Sequence, residues 1–166
     1  MSRFFVVTHG EKEEGVPNPG MTPDGFEQVA ALRHLLPSQP PCVAVGTGRR
    51  QLDVAKALGL EPTYWSIVWG GAETLLEGSD GKLIVLADGT KIPYNRYKSG
   101  KDMAASAISA GEELPFGSVV CSGRPAMIRL GKKDAKSASV YQVQIVGGQV
   151  SIEEVVETGG VEKHAV

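Results

Sequence analysis

Apolar and polar positions along this chain fall in blocks whose period changes, and each change marks an element. RFFVVT, Arg3 to Thr8, reads as a first strand, aromatic and β-branched and ended by polar residues. The glycine- and proline-rich stretch GEKEEGVPNPG that follows reads as a loop. Thr22, Pro23 and Asp24 then start a helix: a threonine hydroxyl caps, proline fits the first helical position, and a carboxylate suits the positive end of the dipole. Phe26, Val29, Ala30, Arg33 and Leu36 recur at helical spacing until Pro37.

Cys42 to Val45 is a second short strand, leading through Gly46-Thr47-Gly48 into a helix that ends at Leu58 and Gly59. No period holds over Thr63 to Trp69 or Thr74 to Leu76. KLIVL and TKIP flank Asp88-Gly89, a pair that favours tight turns, and predict a hairpin from Lys82 to Pro93 that would stand over or beside a cleft as a lid. Met103, Ala104, Ala107 and Ile108 share one face of a helix over Ser99 to Ala110, with Gly111 as its stop. Ser118 to Cys121 is a late strand running into Ser122-Gly123-Arg124-Pro125 and a short helix that ends at Gly131. SASVYQVQIV and QVSIEEVV alternate about Gly147-Gly148 as a C-terminal hairpin. Strands alternating with helices predict an α/β fold with a mainly parallel sheet, here as one domain over residues 1–166.

Composition narrows the function classes. Hydrophobic residues make up 42% and charged residues 22%, the balance of a folded domain. The net charge of −2, with no block of lysine or arginine, gives nucleic-acid binding no support. No apolar run approaches a bilayer span or the core of a secretory signal, so the expectation is a cytoplasmic protein with no membrane partner. Cys42 and Cys121 sit in or beside apolar runs, as reduced buried thiols do.

Three stretches, in order, resemble the histidine phosphatase superfamily, the phosphoglycerate mutase-like proteins. The first is Thr8-His9-Gly10-Glu11-Lys12 after a strand, then Asn18-Pro19-Gly20-Met21-Thr22-Pro23-Asp24-Gly25 and a helix carrying Gln28-Val29-Ala30. The second is VAVGTGRRQLDVAKAL, and the third GSVVCSGRPAMIRL. The short chain and its C-terminal hairpin are closest to the small phosphohistidine-phosphatase-like members. The resemblance implies a three-layer α/β sandwich and a phosphatase acting on a phosphomonoester or phosphohistidine through a phosphohistidine intermediate, with no metal or other cofactor.

By that resemblance His9 is the nucleophile, Arg50 (with Arg49 as the alternative) binds phosphate, and Glu73 or Glu77 is the general acid, Glu11 being a third candidate. The partner is then a phosphorylated small molecule or a phosphohistidine protein. The chain departs from the pattern at two places. Thr8 stands where the family keeps a phosphate-binding arginine, offering the phosphate a hydroxyl in place of a planar cationic fork. Arg124 falls where the second histidine is expected, a phosphate-binding candidate that supplies charge but no neutral imidazole. Each missing group can stabilise a transition state by several kcal/mol, roughly 3 in the measured cases, so the expectation is reduced activity. A non-catalytic relative that binds an anion or a protein partner is the alternative reading. His34 reads as a surface or half-buried structural residue, and His164 as disordered or structural.

Overall fold

The computed structural model describes residues 2–16, 19–46, 48–69, 83–85, 91–93 and 101–156. Its main sheet has six strands: β1 (Ser2–Thr8), β2 (Val43–Val45), β3 (Tyr64–Trp65), β6 (Ser118–Ser122), β7 (Val140–Val146) and β8 (Gln149–Val155). They lie in the order β3-β2-β6-β1-β7-β8. The first four in that order pair in parallel, while β7 joins β1, and β8 joins β7, antiparallel. The three strands expected to be neighbours, at Arg3, Cys42 and Ser118, are β1, β2 and β6, with β6 between the other two.

Alternation along the strands divides the core between two faces of the sheet. On one, Phe4 and Val6 of β1 and Tyr141, Val143 and Ile145 of β7 pack with Ala107 and Met127. These last two come from helices α3 (Lys101–Glu112) and α4 (Arg124–Arg129). On the other, Val7, Val43, Val45 and Cys121 pack with Val29 of α1 (Pro23–Ala30) and with Val54, Ala55 and Leu58 of α2 (Arg49–Leu58). Helices on both faces make the three layers. Trp69 is fully buried and meets the Phe4 ring edge-on at 5.9 Å. Cys42 and Cys121 are both buried free thiols; burial raises both pKa values, that of Cys121 to about 12.

Local signals hold at most boundaries. Thr22 caps α1 by accepting from the Gly25 N–H, Gly59 closes α2 in the left-handed region at φ 68°, and Gly147-Gly148 turn β7 into β8 at φ 56° and 79°. The first helix is shorter than its apolar period suggests. It ends at Ala30 and gives way to a 3₁₀ turn at Arg33–Leu35, where the Arg33 fork donates to the carbonyls of Pro37 and Ser38 and draws the chain round. Leu83–Val85 (β4) and Lys91–Pro93 (β5) pair antiparallel, as expected of the hairpin, whose Asp88-Gly89 turn lies outside the described residues. Among the described residues no helix is long and apolar enough to cross a membrane.

Gly111 is not the helix stop its residue type suggests. α3 continues through it to Glu112, and the glycine is buried where a Cβ would lie 2.7 Å from Ile145 Cδ1 and 3.0 Å from the Phe4 ring. Its role is close packing of helix on sheet. Gly111→Ala should therefore lower stability by about 1 kcal/mol in urea unfolding, because overpacking costs roughly 1–3 kcal/mol and exceeds the ~1 kcal/mol that alanine gains in a helix. Equal or higher stability would mean that Ile145 moves aside freely.

Candidate functional site

Parallel pairing of β1 with β6 aligns Thr8 with Ser122, so the chain leaves both strands at the same edge of the sheet. The residue after β1 is His9, whose N–H donates to the Ser122 carbonyl at 3.1 Å. Its own carbonyl accepts from the Ala138 N–H at 2.9 Å. Here a cleft of about 500 Å³ opens, lined by His9, Gly10, Glu11, Lys12, Glu14, Gln28, Arg50, Arg124 and Ser137. Loops at the carboxyl ends of parallel strands are where open α/β folds bind ligands.

The tautomer of His9 follows from one contact. Nδ1 lies 2.9 Å from the Gly10 carbonyl oxygen, which can only accept, so Nδ1 carries the proton and Nε2 keeps its lone pair. Burial lowers the His9 pKa below the ordinary 6.5; the Gly10 bond opposes this, and Arg50, Lys12 and Arg124 lower it further. The imidazole is thus neutral at neutral pH, although it faces three cations. A neutral ring nitrogen beside guanidinium and ammonium groups can attack a phosphoryl group whose oxygens those cations hold.

The loop after His9 is tied at several points. The Glu11 N–H donates to Gln28 Oε1 and the Glu11 carbonyl accepts from the Thr22 N–H, each at 2.9 Å. Glu13 and Gly20 bond to each other through Glu13 N–H to the Gly20 carbonyl and Gly20 N–H to Glu13 Oε1. Asp53, buried on α2, accepts from the Met21 N–H at 2.9 Å. Gly10 and Gly25 allow the loop to lie flat on α1: a Cβ on Gly10 would sit 2.6 Å from the Gly25 carbonyl oxygen, and one on Gly25 would run into the Glu11 backbone.

The expected residues separate into those at the cleft and those elsewhere. His9, Arg50 and Arg124 line it together, as does Glu11. Arg49, the alternative to Arg50, faces outward at the preceding position of α2 and pairs with Glu13 at 3.6 Å. Thr8 is fully buried and lines no part of the cleft. Its hydroxyl donates to the Lys136 carbonyl at 2.7 Å and accepts from the Ser139 N–H at 3.0 Å, so it anchors residues 136–139 where a phosphate contact was expected. Glu73 and Glu77 lie outside the described residues. His34 is exposed in the 3₁₀ turn, and His164 is outside the described residues. The residue whose Cα backs onto the His9 ring is Gly123, not Arg124: a Cβ there would be 3.0 Å from His9 Cδ2. Among the described residues no group of histidine, cysteine and acidic side chains has the makings of a metal site.

Sequence reasoning passed over Lys12, Glu14, Gln28 and Ser137. Lys12 was within reach, as part of the same His-Gly-Glu-Lys run. Ser137 was not, being brought in by the β7 connection. Its neighbour Ala138 is strained, with φ 46°, the left-handed region that costs a non-glycine residue about 1 kcal/mol.

No protein-family model and no curated protein sequence matches the chain. Similarity lies in three dimensions, where the architecture is the phosphoglycerate mutase-like α/β fold. Open reading frame Rv3214 of Mycobacterium tuberculosis superposes with a TM-score of 0.58 at 19% identity, over 95% of this chain and 98% of that one. TTHB049 of Thermus thermophilus gives 0.60 at 17%, over 93% and 99%. An Escherichia coli protein with a proposed alpha-ribazole-5'-P phosphatase activity gives 0.63 at 12%, over 95% and 98%.

The anchor at Thr8 is directly testable. Thr8→Val keeps the shape but strands a buried N–H and a carbonyl, so it should cost about 1–3 kcal/mol in thermal or urea unfolding, while Thr8→Ser should recover most of the loss. A Thr8→Val protein as stable as wild type would show that the two bonds add nothing.

Proposed function

We propose that this chain is a phosphatase of the histidine phosphatase type, acting on a phosphomonoester or phosphohistidine through a phosphohistidine formed on His9. The observation that carries this reading is the Nδ1 bond to Gly10, which leaves a neutral Nε2 in a cleft with Arg50, Arg124 and Lys12. The phosphatase activity proposed for the E. coli structure of the same fold is consistent with it.

In the first step the Nε2 lone pair forms a bond to phosphorus as the bond to the leaving oxygen breaks. That oxygen keeps the electron pair and takes a proton from a carboxylic acid. Water then attacks phosphorus and gives its proton to the same carboxylate, and the N–P electron pair returns to Nε2. Arg50 and Arg124 hold the equatorial oxygens. Glu11 and Glu14 are the described cleft carboxylates, alongside the earlier candidates Glu73 and Glu77. With Thr8 spent as an anchor and Arg124 standing where the second histidine is expected, turnover is slow. The same spent hydroxyl is what favours the second reading, a relative that binds an anion without turning it over.

Hydrolysis of an aryl phosphate by wild type and His9→Ala separates these readings. Activity abolished by His9→Ala supports the enzyme; activity that survives rules His9 out as the nucleophile. Absent turnover with phosphate binding lost in Arg50→Ala supports the binding relative.

The pH dependence has a definite sign. The reacting form is the neutral imidazole, so kcat/KM should hold as pH falls through 6.5 and decline only below the depressed His9 pKa. Stability responds to the same shift. Below pH 6.5 the unfolded chain takes up a proton that folded His9 resists, so stability falls with pH from there down to the folded pKa. His9→Gln should flatten that part of a stability profile measured between pH 7 and 5; an unchanged profile would mean that His9 is not buried in neutral form.

A further inference from the structure

Gln51 is the third residue of α2, next to Arg50, and its side chain is almost wholly buried, with 1% of its surface exposed. Its Oε1 is buried without a hydrogen-bond partner. Buried amides are nearly always satisfied, because an unpaired oxygen forfeits its bonds to water, and exceptions concentrate where function requires them. The other end of the amide shows what is gained. Gln51 Nε2 and His9 Nε2 approach one and the same point, the empty Cβ position of Gly123, at 3.5 Å and 3.3 Å. The donor end of a buried amide and the Nε2 of His9 thus border one space, which any side chain at position 123 would fill.

We propose that Gln51, set behind the cleft lining, is a catalytic residue, its amide N–H donating across the space beside Gly123 to an oxygen of the phosphoryl group as that group moves onto His9 Nε2. The inference rests on the phosphatase reading above. A phosphoryl group in transfer spreads charge over its oxygens, and a preorganised neutral donor stabilises that charge without raising the electrostatic cost of protonating the leaving group. Arg50 and Arg124 bring charge to the cleft, and Gln51 brings the uncharged donor. It was invisible to motif reasoning because a glutamine beside two arginines at a helix start reads as solvated, and only the packing of Gly123 against His9 draws it in.

The test is Gln51→Met, an apolar side chain of similar length, with Gln51→Glu, of the same size but with no N–H donor, carrying the test if the first does not fold. Both are compared with wild type for 4-nitrophenyl phosphate hydrolysis, inorganic phosphate affinity by calorimetry, and melting temperature. A donor used in the transition state predicts that kcat and kcat/KM fall together by about 100-fold, with the melting temperature of Gln51→Met unchanged or raised. Where wild type binds phosphate without turnover, the affinity should weaken about tenfold. Variants that keep turnover, or phosphate affinity, within roughly twofold of wild type overturn the role of Gln51 and leave the phosphatase reading intact. So does lost turnover that merely tracks a lowered melting temperature. A wild type with neither turnover nor phosphate binding overturns both.

Discussion

The site depends on how the end of β1 is held. Hydrogen bonds converge on two consecutive residues: the Thr8 N–H and hydroxyl engage Ser139 and Lys136, the His9 N–H reaches Ser122, and the His9 carbonyl takes the Ala138 N–H. Strand β6 thus grips His9 from one side and the approach to β7 from the other. These are mostly backbone bonds inside a core, where an unmade bond costs about 1–3 kcal/mol, so the histidine has little freedom to drift. The strain at Ala138 is tolerated because its neighbours on both sides are fixed by this arrangement.

Electrostatics follow from that placement. A histidine among cations has its charged form disfavoured twice, by burial and by Arg50, Lys12 and Arg124, and the Gly10 carbonyl selects which nitrogen keeps the proton. The outcome is a neutral imidazole among cations, two conditions that would conflict if the ring were exposed. Thr8 itself turns inward, and its hydroxyl secures the 136–139 segment.

The order of strands and helices was legible because period, caps and glycine turns all agreed, as at Thr22, Gly59 and Gly147. The end of the first helix was not, since Arg33 leaves the helical path through contacts with Pro37 and Ser38 that no periodicity encodes. Of the cleft, His9, Arg50 and Arg124 were readable because each follows or begins an element at a strand-to-helix junction. The inward turn of Thr8 was not readable, because its hydroxyl bonds residues 136 and 139, far along the chain. Gly123 and Gln51 stayed hidden for a related reason: a missing Cβ has meaning only once its neighbours are known.

The central claim is that Nε2 of His9 accepts a phosphoryl group. Incubating the protein with a small phosphoryl donor, quenching in alkali and mapping the adduct by mass spectrometry tests it most directly. One phosphoryl group is expected on His9, stable to alkali and lost in acid, and absent from His9→Ala. A phosphoryl group on any other residue, or turnover without an adduct on His9, would contradict it.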